Sequence, residues 1–188
     1  MTRPAEPARF SLRDGTSALV RPIGPADAPF LQRGLQRLSE TSNAYRFLHY
    51  RGRFSDADLH YLTHCDFVNH LAAILAILDD KGREIDEVGV ARCIRSKTEP
   101  DLAEVAIVLV DDWHGLGGGR ALLHYLAKLA WEVDIRRWQA FSFPENVAIA
   151  RLLDTVGERS SAHPSGHGTV MSIHALHPPA ALSQGKCL

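Results

Sequence analysis

The chain has 188 residues, 45% of them hydrophobic and 23% charged, with a formal net charge of -1. That length suits one domain with a sizeable core, and the near-neutral charge excludes the broad basic face expected of a nucleic-acid or anionic-membrane binder. The longest apolar stretch, Leu71 to Leu78, is too short for a membrane span, no signal-peptide segment opens the chain, and Cys65, Cys93 and Cys187 are too scattered for a disulfide frame or a zinc site, so a cytoplasmic protein with reduced thiols is expected.

In chain order, residues 1–9 carry two prolines and mixed charge and are expected to be a loose tail. Phe10–Leu12, the Asp14-Gly15 turn and Thr16–Pro22 read as a hairpin leading into a first strand. A helical pattern begins at Pro25, with Phe30, Leu31, Leu35 and Leu38 at helix spacing. Ser39 to Phe47 reads as a polar connector, and Ser55 caps a second helix that runs to about His64.

Strands follow at His70–Leu78 and Ile85–Ile94, then at Leu102–Val110, which is apolar on both alternating faces, as in a strand covered on both sides. A glycine-rich loop comes next, then a helix over about Gly117–Val133 with Leu122, Leu126, Leu129 and Val133 along one stripe. Trp138–Phe143 reads as a strand and Glu145–Val156 as a helix. A short strand, a Pro-Ser-Gly-His-Gly loop and a last strand from Thr169 complete a domain over 10–176, with 177–188 as a second loose tail.

The order strand, glycine loop, helix presents unpaired backbone N–H groups to a phosphate. His114-Gly-Leu-Gly117-Gly-Gly119-Arg120 lacks the Lys-Ser or Lys-Thr of a nucleotide-hydrolysing P-loop. A dinucleotide-binding G-x-G-x-x-G also fails, because Arg120 or Leu122 stands where the last glycine is required. The loop resembles the pyrophosphate loop [QR]-x-x-G-x-[GA] of the GNAT N-acetyltransferases, with His114 in place of Gln or Arg.

The resemblance covers about residues 10–157. Leu12-Arg-Asp-Gly15, Val20-Arg-Pro-Ile23 and Pro25-Ala-Asp27 resemble the N-terminal signature of the GNAT branch that includes bacterial protein-lysine acetyltransferases. Ser42-Asn-Ala-Tyr-Arg46-Phe47, Asp66-Phe-Val-Asn-His70, Gly89-Val-Ala-Arg92, Ala103-Glu-Val-Ala106 and Glu145-Asn146 with Gly157 continue it in order. It implies an α/β (α+β) fold with a mixed central sheet splayed between its fourth and fifth strands and helices on both faces. It also implies acetyl-CoA as donor, CoA as product and a primary amine as acceptor. A protein lysine is slightly favoured over a small-molecule amine. A non-catalytic acyl-CoA sensor and a bare interaction module stand as alternatives, because a fold does not fix a function. A monomer or homodimer is expected, with no nucleic-acid or membrane partner.

By this resemblance the backbone of Val108, Leu109 and Val110 would pair with the pantetheine arm, one amide near Val110 polarising the thioester oxygen. The amides of Gly115, Leu116, Gly117, Gly118, Gly119 and Arg120 would cup the pyrophosphate, with His114 capping the loop and the Arg120 guanidinium adding a charged contact. Asn146 would contact the cofactor arm, or cap a helix. Glu104 is the candidate catalytic base. An alkylammonium is deprotonated in only about one molecule in 2,500 at pH 7, so a carboxylate that takes its proton raises the nucleophile's population. Its apolar neighbours suggest burial, which demands pairing or function; an ion pair to Arg92 or Arg95 is the bland alternative. Many relatives place a thiolate-protonating tyrosine seven residues after the asparagine, but Leu153 stands there, and Gly157-Glu158 replaces the usual Gly-Phe. Tyr45-Arg46-Phe47 could line the acceptor site or simply dock the connector. His60 and His64 have metal-ligand spacing but no third ligand, so no metal is expected.

Overall fold

Every residue from His70 to Leu78 is buried, which only an interior strand with both faces covered allows. The computed structural model describes residues 6–179 and places this strand, β3, third in an eight-stranded sheet. Before it come β1 (Ala8–Ser11) and β2 (Ser17–Pro22), joined by a turn in which the Asp14 carboxylate accepts from the Thr16 N–H at 3.0 Å and Gly15 takes φ +89°. After it come β4 (Glu84–Arg95), β5 (Leu102–Leu109), β6 (Arg137–Ser142), β7 (Gly157–Pro164) and β8 (Val170–Leu176). The spatial order is β1-β2-β3-β4-β5-β6-β8-β7, with every pairing antiparallel except β5 with β6.

Helices lie on both faces, and so do two apolar clusters. On one side α4 (Gly118–Glu132) buries Leu122, Leu126 and Leu129 against Leu75, Ala103, Val105 and Trp138. On the other, Phe30 and Leu31 of α1 (Ala28–Gln36) and Leu59 and Leu62 of α3 (Asp56–Thr63) meet Ile23, Ile74 and Val90. The α3 start is a reciprocal cap: Ser55 Oγ accepts from the Asp58 N–H at 3.1 Å while the Asp58 carboxylate accepts from the Ser55 N–H at 2.9 Å.

Five expectations need correction. Ser39–Phe47 is not a connector but holds a helix, α2 (Glu40–Phe47), whose N-cap Ser39 accepts from the Ser42 N–H. Its start is anchored to a distant element, since the Asp111 carboxylate accepts from the Ser39 N–H, Ser39 Oγ and Ser42 Oγ at 3.0, 2.7 and 2.8 Å. The strand β1 begins at Ala8, inside the expected loose tail, and β7 runs for eight residues rather than a few. The last helix, α5 (Val147–Leu153), is shorter than the expected span. His177 also departs from a loose tail, because its N–H donates to the Val156 carbonyl at 2.9 Å. Residues 1–5 and 180–188, including Cys187, lie outside the described residues.

Candidate active site

The parallel β5–β6 ladder pairs only Leu102–Glu104 with Arg137–Gln139, although both strands continue past it. Beyond the ladder the two strands line a cleft of about 470 Å³, within the range of small-molecule sites. Val105 to Leu109 form one wall, Ala140, Phe141 and Ser142 the other; the start of α4, α5 and the end of α2 complete it.

The phase of the β4–β5 ladder decides which backbone groups of β5 turn toward β6. The Val110 N–H donates to the Val88 carbonyl and the Ser96 N–H to the Leu102 carbonyl, both at 2.8 Å. Even-numbered residues of β5 therefore spend their backbone groups on β4, and odd-numbered residues turn theirs to the opposite edge. This corrects the expectation for Val108 and Val110: neither backbone is open to a ligand, and Val108 reaches the cleft through its side chain alone. The open edge belongs to Ile107 and Leu109. There the His114 Nε2–H faces the Leu109 carbonyl at 3.1 Å, so His114 closes the loop back onto the strand.

The N–H groups of Gly115 to Arg120 have no backbone acceptor among the described residues, since the first N–H groups of a helix have no intrahelical partner. Arg13 fixes the loop from the β1–β2 turn. Its N–H donates to the Leu116 carbonyl at 3.0 Å and its Nη1 to the Gly115 carbonyl at 3.2 Å, which turns the carbonyls away from the amide side. Gly117, the N-cap of α4, has φ +94°, a left-handed conformation costly for any other residue. Gly118 is needed for packing instead, because a Cβ there would sit 2.5 Å from Leu75 Cδ2.

His114, Gly115, Gly117, Gly119, Arg120, Leu109 and Asn146 line the cleft; Leu116, Gly118, Val110 and Glu104 do not. Asn146 is a helix cap, its Oδ1 accepting from the Ile149 N–H at 3.3 Å, and it faces the cleft as well. Arg13, Arg46, Arg120 and Arg151 also line it, with no Asp or Glu among the lining residues. A concave wall of one charge sign concentrates a polyanion. Sequence reading assigns neither Arg13 nor Arg151 a place at this cleft, since Arg13 enters it only within the Leu12–Gly15 segment and Arg151 only as one residue of an expected helix.

Glu104 departs from the expected burial. Its side chain is exposed and makes no hydrogen bond or ion pair among the described residues. Arg92 instead donates to His70 and the Leu62 carbonyl, and Arg95 to the Val68 and Val133 carbonyls. Glu104 sits where β5 last pairs with β6, opposite Gln139 and Ile94. It shares the β5 face of Ala106 and Val108, the face that α2 covers. Leu153, in the position of the missing tyrosine, is buried in the core. His60 and His64 stack at 3.7 Å, and no group of three or more metal-capable side chains occurs among the described residues.

No protein-family model matches the chain, but individual relatives do. It is 30% identical over 152 residues to the acetyltransferase PA5475 of Pseudomonas aeruginosa, covering 79% of this chain and 80% of that one. It is 27% identical to the acetyltransferase Pat of Mycolicibacterium smegmatis over 80% of its own length and 44% of the longer relative. Among solved structures, the GNAT domain of S. lividans PAT superposes with a TM-score of 0.76 at 32% identity, covering 90% of this chain and 97% of that domain. Among the described residues no helix is long and apolar enough to cross a membrane. Sheet, loop and relatives agree: the chain belongs to the GNAT acetyltransferases.

Proposed function

We propose that the protein is an acetyl-CoA-dependent N-acetyltransferase that moves the acetyl group directly to a primary amine while donor and acceptor are bound together. The observation that carries this reading is the run of open amides from Gly115 to Arg120 beside an arginine-lined cleft. Those amides and Arg120 suit the donor's pyrophosphate, and the α4 dipole adds to them. The donor, when bound, supplies an activated thioester. The open edge of β5 suits an amide-bearing arm laid along it as a further strand. The Leu109 N–H, in place of Val110, is the donor placed to meet charge developing on the acyl oxygen.

Glu104 serves as the base. Its exposed, unpaired carboxylate can take a proton from the acceptor ammonium through solvent. With Leu153 in the core, the thiolate leaves without a tyrosine acid at that position. The resemblance to bacterial protein acetyltransferases brings a protein lysine forward as acceptor, with small-molecule amines beside it. The non-catalytic sensor reading is not favoured, since the relatives are acetyltransferases.

The test is Glu104→Gln, assayed by thiol release with the best acceptor found in an amine and peptide panel. Turnover should fall at least about a hundredfold, with acetyl-CoA affinity by calorimetry changed less than about twofold. An unaltered rate removes Glu104 from the mechanism. Absence of CoA release with every acceptor overturns the transferase reading.

A further inference from the structure

Beside the cleft, and sharing Arg46 and Val108 with it, lies a small apolar pocket of about 50 Å³. Phe30, Leu31, Phe54 and Leu62 form one side, and Val90 and Arg92 of β4 the other. Neither of its two guanidinium groups forms an ion pair among the described residues. Arg92 is only 5% exposed. Its Nη atoms meet the Leu62 carbonyl and His70 Nε2, while its Nε is buried without any partner. Arg46 makes no hydrogen bond or ion pair among the described residues, only a contact of 4.9 Å over the Phe47 ring. Burial, with the charges of Arg92 and Arg51, lowers its pKa to about 10. Arg51 has its own partner, Asp58, at 2.6 Å. The Glu104 carboxylate offsets part of that shift, yet no ion pair forms between it and Arg46.

A buried guanidinium with an unpartnered Nε, beside a second, half-buried guanidinium that forms no ion pair, is an incomplete arrangement. Glu104 lies on the same face, so the pattern offers a negative site for an ammonium and a positive site for a carboxylate, with apolar space between the helices. We propose that this pocket is the acceptor subsite for a small amine that carries a carboxylate, an α-amino acid with an apolar side chain, held by Arg46 over Arg92. The inference rests on the transferase reading and sharpens its acceptor away from the lysine that resemblance favours. The ammonium first gives one proton toward Glu104; the free amine nitrogen then attacks the thioester carbon, the C–S bond breaks with its electron pair leaving on the thiolate, and the nitrogen's second surplus proton passes to that thiolate. An N-acetyl amino acid and CoA result.

The test compares L-leucine, L-leucinamide, 3-methylbutylamine and a lysine peptide as acceptors, by thiol release with acetyl-CoA. L-leucine should exceed the amide and the plain amine in kcat/KM by at least about tenfold, because a site built for a charged partner penalises its absence. Arg46→Gln should collapse that ratio to within about twofold through KM, the signature of a lost carboxylate contact. Equal or better turnover of the neutral analogues, or higher kcat/KM for the lysine peptide, overturns the proposal. So does loss of acetyl-CoA affinity in Arg46→Gln without loss of discrimination.

A binding arm needs no turnover and no variant. The wild-type chain with CoA should bind N-acetyl-L-leucine at least about tenfold more tightly than its amide by NMR titration. Binding of this pair in the expected order without transfer to any amine would sink the transferase reading and keep the subsite. Transfer to neutral amines only would do the reverse.

Discussion

His70 shows how much a single buried side chain can set. Burial and the neighbouring Arg92 charge push its pKa down to about 4, and it is 8% exposed. The ring is therefore neutral in the fold, accepts from Arg92 Nη1 at 2.9 Å and stacks on Tyr61 at 4.9 Å. Between pH 6.5 and 4 the unfolded chain binds a proton that the folded chain refuses, so this residue's contribution is complete above 6.5 and lost as pH falls toward 4. The loss amounts to about 3 kcal/mol at most. Urea unfolding of the wild type should show stability falling across that window, and His70→Gln should flatten the fall. An equally steep profile in the variant would assign the acid sensitivity to other groups, such as His174, whose imidazole burial also holds below its ordinary value. The sequence marks His70 as the first residue of an apolar strand and the end of the Asp66–His70 segment of the resemblance, with no chemistry attached to its ring. Its chemistry comes from Arg92 on the neighbouring strand and Tyr61 on a helix, partners that chain order does not bring together.

At the scale of elements, legibility followed burial pattern. The strand at His70–Leu78 was readable to the residue because an uninterrupted apolar run has few other folds open to it. The α4 stripe was readable for the same reason. Helix α2 was not, because its one buried residue is Asn43, whose amide bonds the Arg51 backbone at 2.8 and 2.7 Å. Such a helix has no apolar period to detect. Its signal is the cap at Ser39, and its tether is Asp111, just before the glycine loop. That carboxylate couples the element bearing Arg46 to the glycine loop, which is proposed to face the donor. Asp111→Ala should cost about 1–2 kcal/mol of stability by urea unfolding. It should also raise the acceptor KM more than it weakens acetyl-CoA, since the loop keeps its Arg13 anchors. Equal effects on both ligands would mean that α2 and the loop form one unit without Asp111.

Across the whole molecule, the charge balance hides the site. Lys and Arg number 21 against 22 Asp and Glu, so net charge reads as featureless, yet four arginines and no carboxylate line the cleft. Sequence order could not reveal this. Arg13 belongs to the first hairpin, Arg46 to α2, Arg120 to the start of α4 and Arg151 to α5, and only the sheet order gathers them. The acidic residues are instead spent in exposed pairs elsewhere, such as Asp86 with Arg37 and Glu99 and Asp101 with Arg137. The field is therefore local, and its range is set by salt. Acetyl-CoA affinity measured by calorimetry should weaken roughly threefold to tenfold between about 50 mM and about 300 mM salt. The urea midpoint should change little over the same interval, because exposed pairs contribute little to stability. Arg120→Gln should flatten the salt dependence of binding. A flat wild-type response would mean that the amides of Gly115 to Arg120 hold the phosphates with no help from the surrounding guanidinium groups.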